Sequence, residues 1–330
     1  MRKPEWLRIK KTGIYDSNLA IEKLIRDHNL HTVCESAQCP NKGECFSKRT
    51  ATFMILGDIC TRSCTFCAVK KEKKPLGHPD PEEPQHIAEA VSKLGLAYIV
   101  ITMVTRDDLP DGGSAHLVKV MNRIRETAGE GSEPAIEVLV SDMQGDLSCI
   151  EKILAAQPAV FNHNIETVPR LYPLVRPEAD YQRSLKILSH TGRYAPQIPV
   201  KSGFMVGLGE TEEEIVSLLD DLRVQGVEIL TIGQYLAPSA GHYPVFAYIE
   251  PKIFEHYRRI ALDKGFKTCF SGPFVRSSYN AQEAFSEQKK QQNKNSGGEL
   301  CSETDNLTSN SFSQKENSTE KREKSIFSKS

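Results

Sequence analysis

Six β-prone apolar runs recur along the chain, separated by stretches whose hydrophobic positions follow a helical period. The runs cover residues 51–57, 97–104, 135–140, 159–165, 200–206 and 227–235. The second of them, from Ala97 to Val104, is apolar almost without interruption, as expected of a strand covered on both faces. The helix signal is strongest after Thr211. Thr211 and Glu214 have the spacing of a capping box, Ile215, Leu218, Leu219 and Leu222 mark one face, and Gly226 suits the C-terminal cap. Further helices are expected over 84–94, 114–127, 147–155 and 251–264. Strand and helix alternating about six times predicts an α/β fold with a parallel sheet, curled into a full or partial (β/α)6 barrel. An open doubly wound sheet has the same periodicity.

The flanks break this pattern. Residues 1–50 form an N-terminal extension with one expected helix over 18–29. The repeat occupies 51–272, a short C-terminal segment covers 273–285, and 286–330 turns to Ser, Asn, Gln, Lys and Glu. That last stretch is expected to be a disordered polar tail, since it has too little apolar surface to offset its chain entropy. Composition narrows the function. A formal net charge of −1 argues against nucleic acid or an anionic membrane as main partner. No apolar run reaches the ~20 residues that span a bilayer. The first residues lack an apolar signal region, and Glu5, Asp16 and Glu22 fit a transit peptide poorly, so a cytoplasmic protein is expected.

Nine cysteines are then hard to explain as disulfides. Six fall in two tight groups, Cys34, Cys39, Cys45 and Cys60, Cys64, Cys67, while Cys149, Cys269 and Cys301 stand alone. The second group, Cys60-Thr-Arg-Ser-Cys64-Thr-Phe-Cys67, follows the first expected strand. Three soft thiolates this close can hold three corners of an iron–sulfur cubane and leave one iron open for chemistry. A redox CxxC would leave Cys60 without a role, zinc lacks an obvious fourth ligand, and haem attachment fails because Ala68 follows Cys67. The spacing of the first group says only that three thiolates could converge, on a cluster or on zinc.

CxxxCxxC with Phe66 before the last cysteine resembles the signature of the radical SAM superfamily. The string from Val33 to Cys45, VCESAQCPNKGEC, resembles the auxiliary-cluster motif of the lipoyl synthase family within it. The likeness continues through Val104–Gly113, Val160–Arg170, Val175-Arg-Pro177, Lys201–Thr211 and Ser271–Tyr279, about residues 30 to 280 in all. One departure lies in the segment from Gln234 to Pro244, where Ala237 and Ala240-Gly241 replace longer polar or basic residues.

The resemblance implies two 4Fe-4S clusters and S-adenosylmethionine. Cys60, Cys64 and Cys67 would ligate the cluster whose open iron chelates S-adenosylmethionine. Cys34, Cys39 and Cys45 would ligate an auxiliary cluster, with Ser278 of Arg276-Ser277-Ser278-Tyr279 as its fourth, catalytically relevant ligand. One electron would cleave the sulfonium to a 5′-deoxyadenosyl radical, and the auxiliary cluster would be consumed as sulfur donor. The implied reaction adds sulfur at carbons 6 and 8 of an octanoyl group on a lysine of a lipoyl carrier domain. The implied partners are such domains in 2-oxoacid dehydrogenase acyltransferase subunits and glycine cleavage H protein, a low-potential electron donor such as ferredoxin or flavodoxin, and iron–sulfur assembly proteins.

Weaker candidates surround these. Asn162-His163-Asn164 ends an expected strand and could face the cofactor or substrate, or satisfy local hydrogen bonds. Arg106, Asp107 and Asp108 could bind S-adenosylmethionine or cap the next helix. Gly207-Leu-Gly209 lacks the third glycine of a dinucleotide loop. Lys70-Lys-Glu-Lys-Lys74 reads as a solvated face or a carrier-domain contact. Two rivals remain: a methylthiotransferase acting on tRNA, which would carry an RNA-binding domain, and a non-catalytic iron–sulfur or zinc protein.

Overall fold

A computed structural model of the chain describes residues 2–8, 16–28, 30–36, 39, 41–47, 52–129, 131–283 and 285–286. The chain divides into Met1–Gln282 and Glu283–Ser330, and the fold below is that of the first unit. Cys301 and nearly all of the expected tail lie outside the described residues.

One sheet organises the unit. Its strands are β1 (His31–Thr32), β2 (Thr52–Ile55), β3 (Tyr98–Met103), β4 (Ala135–Leu139), β5 (Val160–Asn162), β6 (Val200–Val206), β7 (Ile229–Gln234) and β8 (Thr268–Gly272). They lie side by side in chain order, with β1 antiparallel to β2 and every later neighbour parallel. A doubly wound sheet reverses its strand order at a switch point. This order never reverses, so the sheet is singly wound. Thr52 and Met54 of β2 also line the same cavity as Thr231 and Gly233 of β7, so the sheet curls around it. The result is the partial barrel that the periodicity allowed. β8 adds a seventh parallel strand to the six expected, with Thr268–Gly272 in register against Ile229–Gly233.

The helices follow from local sequence. Helix α1 is Asp16–Asp27, α2 Glu83–Leu94, α3 Ser114–Ala128, α4 Leu147–Ala155, α5 Tyr181–Tyr194, α6 Glu212–Val224 and α7 Pro251–Asp263. Thr211 caps α6 as its spacing predicts: Thr211 Oγ1 accepts from Glu214 N at 3.3 Å, and Thr211 N donates to the Glu214 carboxylate at 2.9 Å. Ile215, Leu218, Leu219 and Leu222 are buried beneath it, each worth roughly 1.5–3 kcal/mol of apolar burial. Gly226, at φ 83, occupies the left-handed position just past the helix end. Helix α5 was not expected. Its inward face mixes Tyr181, Ser184 and Thr191 with Leu185, Ile187 and Leu188, which hides the apolar period. No described helix is long and apolar enough to cross a membrane.

Candidate active site at the barrel mouth

The chain enters the second cysteine group through a constrained turn. Leu56 and Gly57 leave β2 with φ 69 and 87, and the buried Glu83 carboxylate at the start of α2 accepts from Leu56 N at 2.9 Å and Gly57 N at 3.3 Å. His116 of α3 holds the same carboxylate at 2.6 Å. Left-handed backbone at a leucine costs energy, and this clamp fixes it where the cysteine loop begins.

Four of the residues between the cysteines are then held by segments distant in sequence. Thr61 Oγ1 donates to Thr105 O at 3.0 Å and accepts from Asp107 N at 3.0 Å. Arg62, almost wholly buried, pairs with Asp107 at 2.6 and 2.9 Å and with Asp142 at 2.5 Å. That pairing, against the opposing effect of burial, holds the Asp142 carboxyl down at about 2. Arg62 N also points its hydrogen at the Cys60 sulfur, 3.4 Å away. Ser63 donates to Glu178 from its hydroxyl at 2.5 Å and from its amide at 3.2 Å. Thr65 N donates to Val175 O at 3.0 Å. Cys60, Cys64 and Cys67, with Arg62 and Phe66, all line one cavity of about 560 Å³.

The first cysteine group reaches the same cavity from the N-terminal extension. Cys34 sits on the short helix Val33–Ser36 and Cys45 on Lys42–Ser47, with Cys39 between them. The amide of Cys39 donates to Cys34 O at 3.1 Å, and that of Cys45 to Asn41 O at 2.9 Å. Lys42 ties the loop to Glu22 and Glu35 at 3.0 and 2.9 Å. All three cysteines line the cavity, as do Arg276, Ser277, Ser278 and Tyr279. Asn41 brings the C-terminal segment in, donating to Phe274 O at 2.6 Å, and Tyr279 donates to Glu44 at 3.3 Å. So six thiols and the Ser278 hydroxyl share one chamber.

Burial pushes the Cys34 and Cys67 thiols up to about 11 and also raises Cys64. These thiols therefore stay protonated without a metal, and a metal must displace their protons to bind. Among the described residues no three His, Cys, Asp or Glu groups are placed to hold a single ion. A cubane takes one thiolate per iron, and a soft donor set of three cysteines per loop fits that group.

Polar groups complete the wall. Arg176 is buried at the cavity edge; its Nη1 donates to Asn164 O, Ile165 O and the Tyr172 hydroxyl at 3.1, 3.2 and 3.1 Å, while its Nε has no partner. Glu166 lines the cavity in left-handed backbone (φ 66), accepts from Asn164 Nδ2 at 3.0 Å, and is raised by burial against the pull of Arg176. His163 and Asn164 line the cavity too. His163 bonds Val140 O at 2.9 Å and the Ser184 hydroxyl at 3.0 Å, and burial pushes it down to about 4, so it is neutral at pH 7. Asn162 instead turns to the barrel interior, where its Nδ2 donates to Glu137 at 3.0 Å and to Ser277 Oγ at 3.3 Å.

Arg106, Asp107 and Asp108 do not line the cavity. Arg106 grips Asp108 at 2.7 and 2.8 Å and also donates to Gly77 O, while Asp107 is the partner of Arg62. The start of α3 is capped by Asp111, which accepts from Gly113 N and Ala115 N at 3.0 and 2.8 Å. Of the segment that departs from the family pattern, Ala237 lines the cavity and Ala240-Gly241 is exposed. Sequence reading missed the roles of Arg62, Glu166 and Arg176. It also missed the Lys201–Glu137 ion pair beneath the cavity, 2.8 Å long with both side chains 1% exposed. A lone charge inside each of two apolar strands was the available signal.

Comparison with known proteins agrees with this geometry. Residues 54–222 match the Radical SAM superfamily. Streptococcus suis SuiB bound to S-adenosylmethionine has a similar fold, at TM-score 0.51 and 12% identity over 79% of this chain; the chain spans 61% of that protein. A singly wound parallel sheet with CxxxCxxC after its first parallel strand, together with that match, makes this a radical SAM enzyme. Its kinship is narrower than that. The chain is 52% identical to the lipoyl synthase of Caldicellulosiruptor saccharolyticus over 86% of its own length and 97% of the relative's. It is 51% identical to that of Chlorobaculum parvum, over 85% and 94%, and 50% identical to that of Nitrosospira multiformis, over 86% and 88%. The chain belongs to the lipoyl synthase family, whose enzymes use S-adenosylmethionine and two 4Fe-4S clusters.

Proposed function

We propose that this enzyme inserts two sulfur atoms, at carbons 6 and 8, into an octanoyl chain borne by a lysine of a lipoyl carrier domain. The observation that carries the reading is the convergence of both cysteine groups and Ser278 on one cavity. Unactivated methylene and methyl carbons offer no acidic proton to a general base, so the protein must aim a reaction that a cofactor drives. When bound, one cluster with S-adenosylmethionine supplies a hydrogen-atom abstractor, and the second supplies sulfide.

The chain's own groups divide the work. Cys60, Cys64 and Cys67 would hold the first cluster, which supplies the electron that cleaves S-adenosylmethionine. Arg176 offers a buried positive charge to a carboxylate, and Glu166 and Asn164 offer hydrogen-bond partners to ribose hydroxyls or an ammonium. Cys34, Cys39, Cys45 and Ser278 hold the second cluster. A hard oxygen is a poor match for a site of soft thiolates, so Ser278 would be the weakest of these ligands. His163, neutral at pH 7 and doubly bonded, shapes the wall; its Nδ1–H donates to Val140 O and it carries no second proton. The carrier domains are those of 2-oxoacid dehydrogenase acyltransferase subunits and glycine cleavage H protein. A low-potential donor such as ferredoxin or flavodoxin and iron–sulfur assembly proteins serve the clusters, in the cytoplasm.

The test is anaerobic. The protein is reconstituted, its iron and sulfide counted, and reductant, S-adenosylmethionine and an octanoylated carrier-domain peptide added. About eight irons with a doubly thiolated or lipoylated peptide support the reading. About four irons, or 5′-deoxyadenosine with no sulfur on the peptide, refute the donor role of Cys34, Cys39 and Cys45. Ser278→Cys is expected to keep about eight irons and lose sulfur insertion; normal turnover by that variant would remove Ser278 from the mechanism.

A further inference from the structure

Five consecutive residues beside the cluster loop, Lys70-Lys71-Glu72-Lys73-Lys74, are all exposed and carry four positive charges against one negative. Their attachment to the cysteines is unusually direct. Lys70–Lys71 pairs in parallel with Ile59–Cys60, in a register that sets Lys71 opposite Cys60. Glu72 N donates to Cys60 O at 3.0 Å, and Lys71 Nζ donates to Cys64 O at 2.9 Å. The basic tract is thus one hydrogen bond from each of two residues that hold the S-adenosylmethionine cluster.

We infer that this tract is the docking surface for an acidic electron-donor protein. The inference rests on the reading that Cys60, Cys64 and Cys67 hold a redox cluster. Each S-adenosylmethionine cleaved needs one electron: it leaves the donor protein's centre, which is oxidised by one, and enters the cluster, which is reduced by one. A donor seated on the tract faces the outer side of the cluster loop, where the backbone of Cys60 and Cys64 is one contact away. The charges are free to attract it. Lys70 and Lys73 keep side chains 74% and 79% exposed despite ion pairs of 2.5 Å to Asp58 and 3.7 Å to Glu178, and such surface pairs bind weakly. Electron-transfer contacts are characteristically small and steered by charge. A carrier domain is the less suited occupant: of the tract only Lys71 lines the cavity, so an acyl chain inserted there need not approach Lys70, Lys73 or Lys74.

The experiment compares full-length wild type with the variant Lys70→Glu/Lys73→Glu/Lys74→Glu, both reconstituted, using 5′-deoxyadenosine formation as readout. One series uses dithionite, a small inorganic reductant; the other uses reduced flavodoxin. The expected result is unchanged iron content and an unchanged dithionite rate, with the flavodoxin rate at low salt lowered by about tenfold or more. The wild-type flavodoxin rate should fall steeply with added salt, and the variant's should not. Equal flavodoxin rates, or equal losses with both reductants, overturn the inference. So does a raised KM for an octanoylated carrier domain under dithionite, which assigns the tract to the carrier. Wild type that binds no iron, or forms no 5′-deoxyadenosine even with dithionite, instead fails the cluster reading itself. If the triple variant loses iron, Lys73→Gln/Lys74→Gln, which leaves the Lys70–Asp58 pair intact, is judged by the same outcomes.

Discussion

Replacing Lys201 by Met should destabilise the barrel through the carboxylate it leaves behind. Lys201 Nζ lies 2.8 and 3.1 Å from the two oxygens of Glu137, and both side chains are buried. By strand alternation Glu137 shares a face with Leu139, and Lys201 with Gly203 and Met205, all three of which line the cavity. The pair therefore sits in the barrel interior beneath the cavity. At 2.8 Å its attraction is about 6 kcal/mol for an effective dielectric near 20. Without Lys201, Glu137 still accepts from the Tyr98 hydroxyl at 2.6 Å and Asn162 Nδ2 at 3.0 Å. Those bonds recover part of the loss, so the cost falls at the low end of the ~3–5 kcal/mol for breaking a buried pair. At about 2 °C per kcal/mol for a unit this large, the thermal midpoint should drop by roughly 6 °C. Circular dichroism melts read this directly. Adding Glu137→Gln removes the stranded charge and keeps groups for Tyr98 and Asn162, so the double variant should regain most of the loss. A single variant within about 1 kcal/mol of wild type, or a double variant no better than the single, would refute the electrostatic account.

Three further perturbations probe other parts of the site. His163 binds protons less readily folded (about 4) than unfolded (6.5); stability is therefore full above pH 6.5 and lost as pH falls toward 4, by about 2 kcal/mol between pH 7 and 5. His163→Gln should flatten that slope in urea titrations, and an unchanged slope would place the titration elsewhere. Glu83→Ala strips the acceptor from Leu56 N and Gly57 N, a local cost of about 1–3 kcal/mol, so reconstituted iron should drop toward four while far-ultraviolet circular dichroism holds; eight irons would show the turn needs no clamp. Gly233→Ala would set a methyl 2.2 Å from Val275 O, so the C-terminal segment must move; the auxiliary cluster should become labile to chelators while the other persists, and equal lability of both would contradict this.

The strands and the two cysteine groups were legible because their signals are local. Continuous apolar runs mark β3 and β7, Thr211 and Glu214 meet within one turn, and each cysteine triplet lies within a dozen residues. What escaped was pairing between distant positions. Arg62 reads as a spacer until Asp142, eighty residues on, is folded against it. Glu137 and Lys201 are separate anomalies in sequence and one ion pair in space. Helix α5 hid because Ser184 faces inward to hold His163, a polar requirement that erases the apolar stripe. The segment from Arg106 to Asp108 reads in sequence equally as a cofactor contact or a helix cap; folded, Arg106 pairs with Asp108, Asp107 with Arg62, and Asp111 caps the helix.

The two chain extensions also depend on each other. The first cysteine group has few backbone ties to the barrel: β1 contributes only His31 and Thr32, paired with Met54 and Phe53. Further support comes from α1, through Lys42 to Glu22, and from the C-terminal segment, through Asn41 to Phe274 O and Glu44 to Tyr279. That segment is anchored in turn by Ser277, whose hydroxyl donates to Asn164 Oδ1 at 2.6 Å and accepts from Asn162 Nδ2. Asn162 is held by Glu137, and Glu137 by Lys201. A continuous hydrogen-bonded chain therefore links the buried ion pair to the residue beside Ser278. Burial keeps the Cys34 thiol protonated until metal displaces its proton, and the loop it opens is braced in part by the C-terminal segment. On the proposed reading, assembly of an auxiliary cluster at Cys34, Cys39 and Cys45 would be coupled to seating of the C-terminal segment, whereas the loop of Cys60, Cys64 and Cys67 rests on clamps from the barrel.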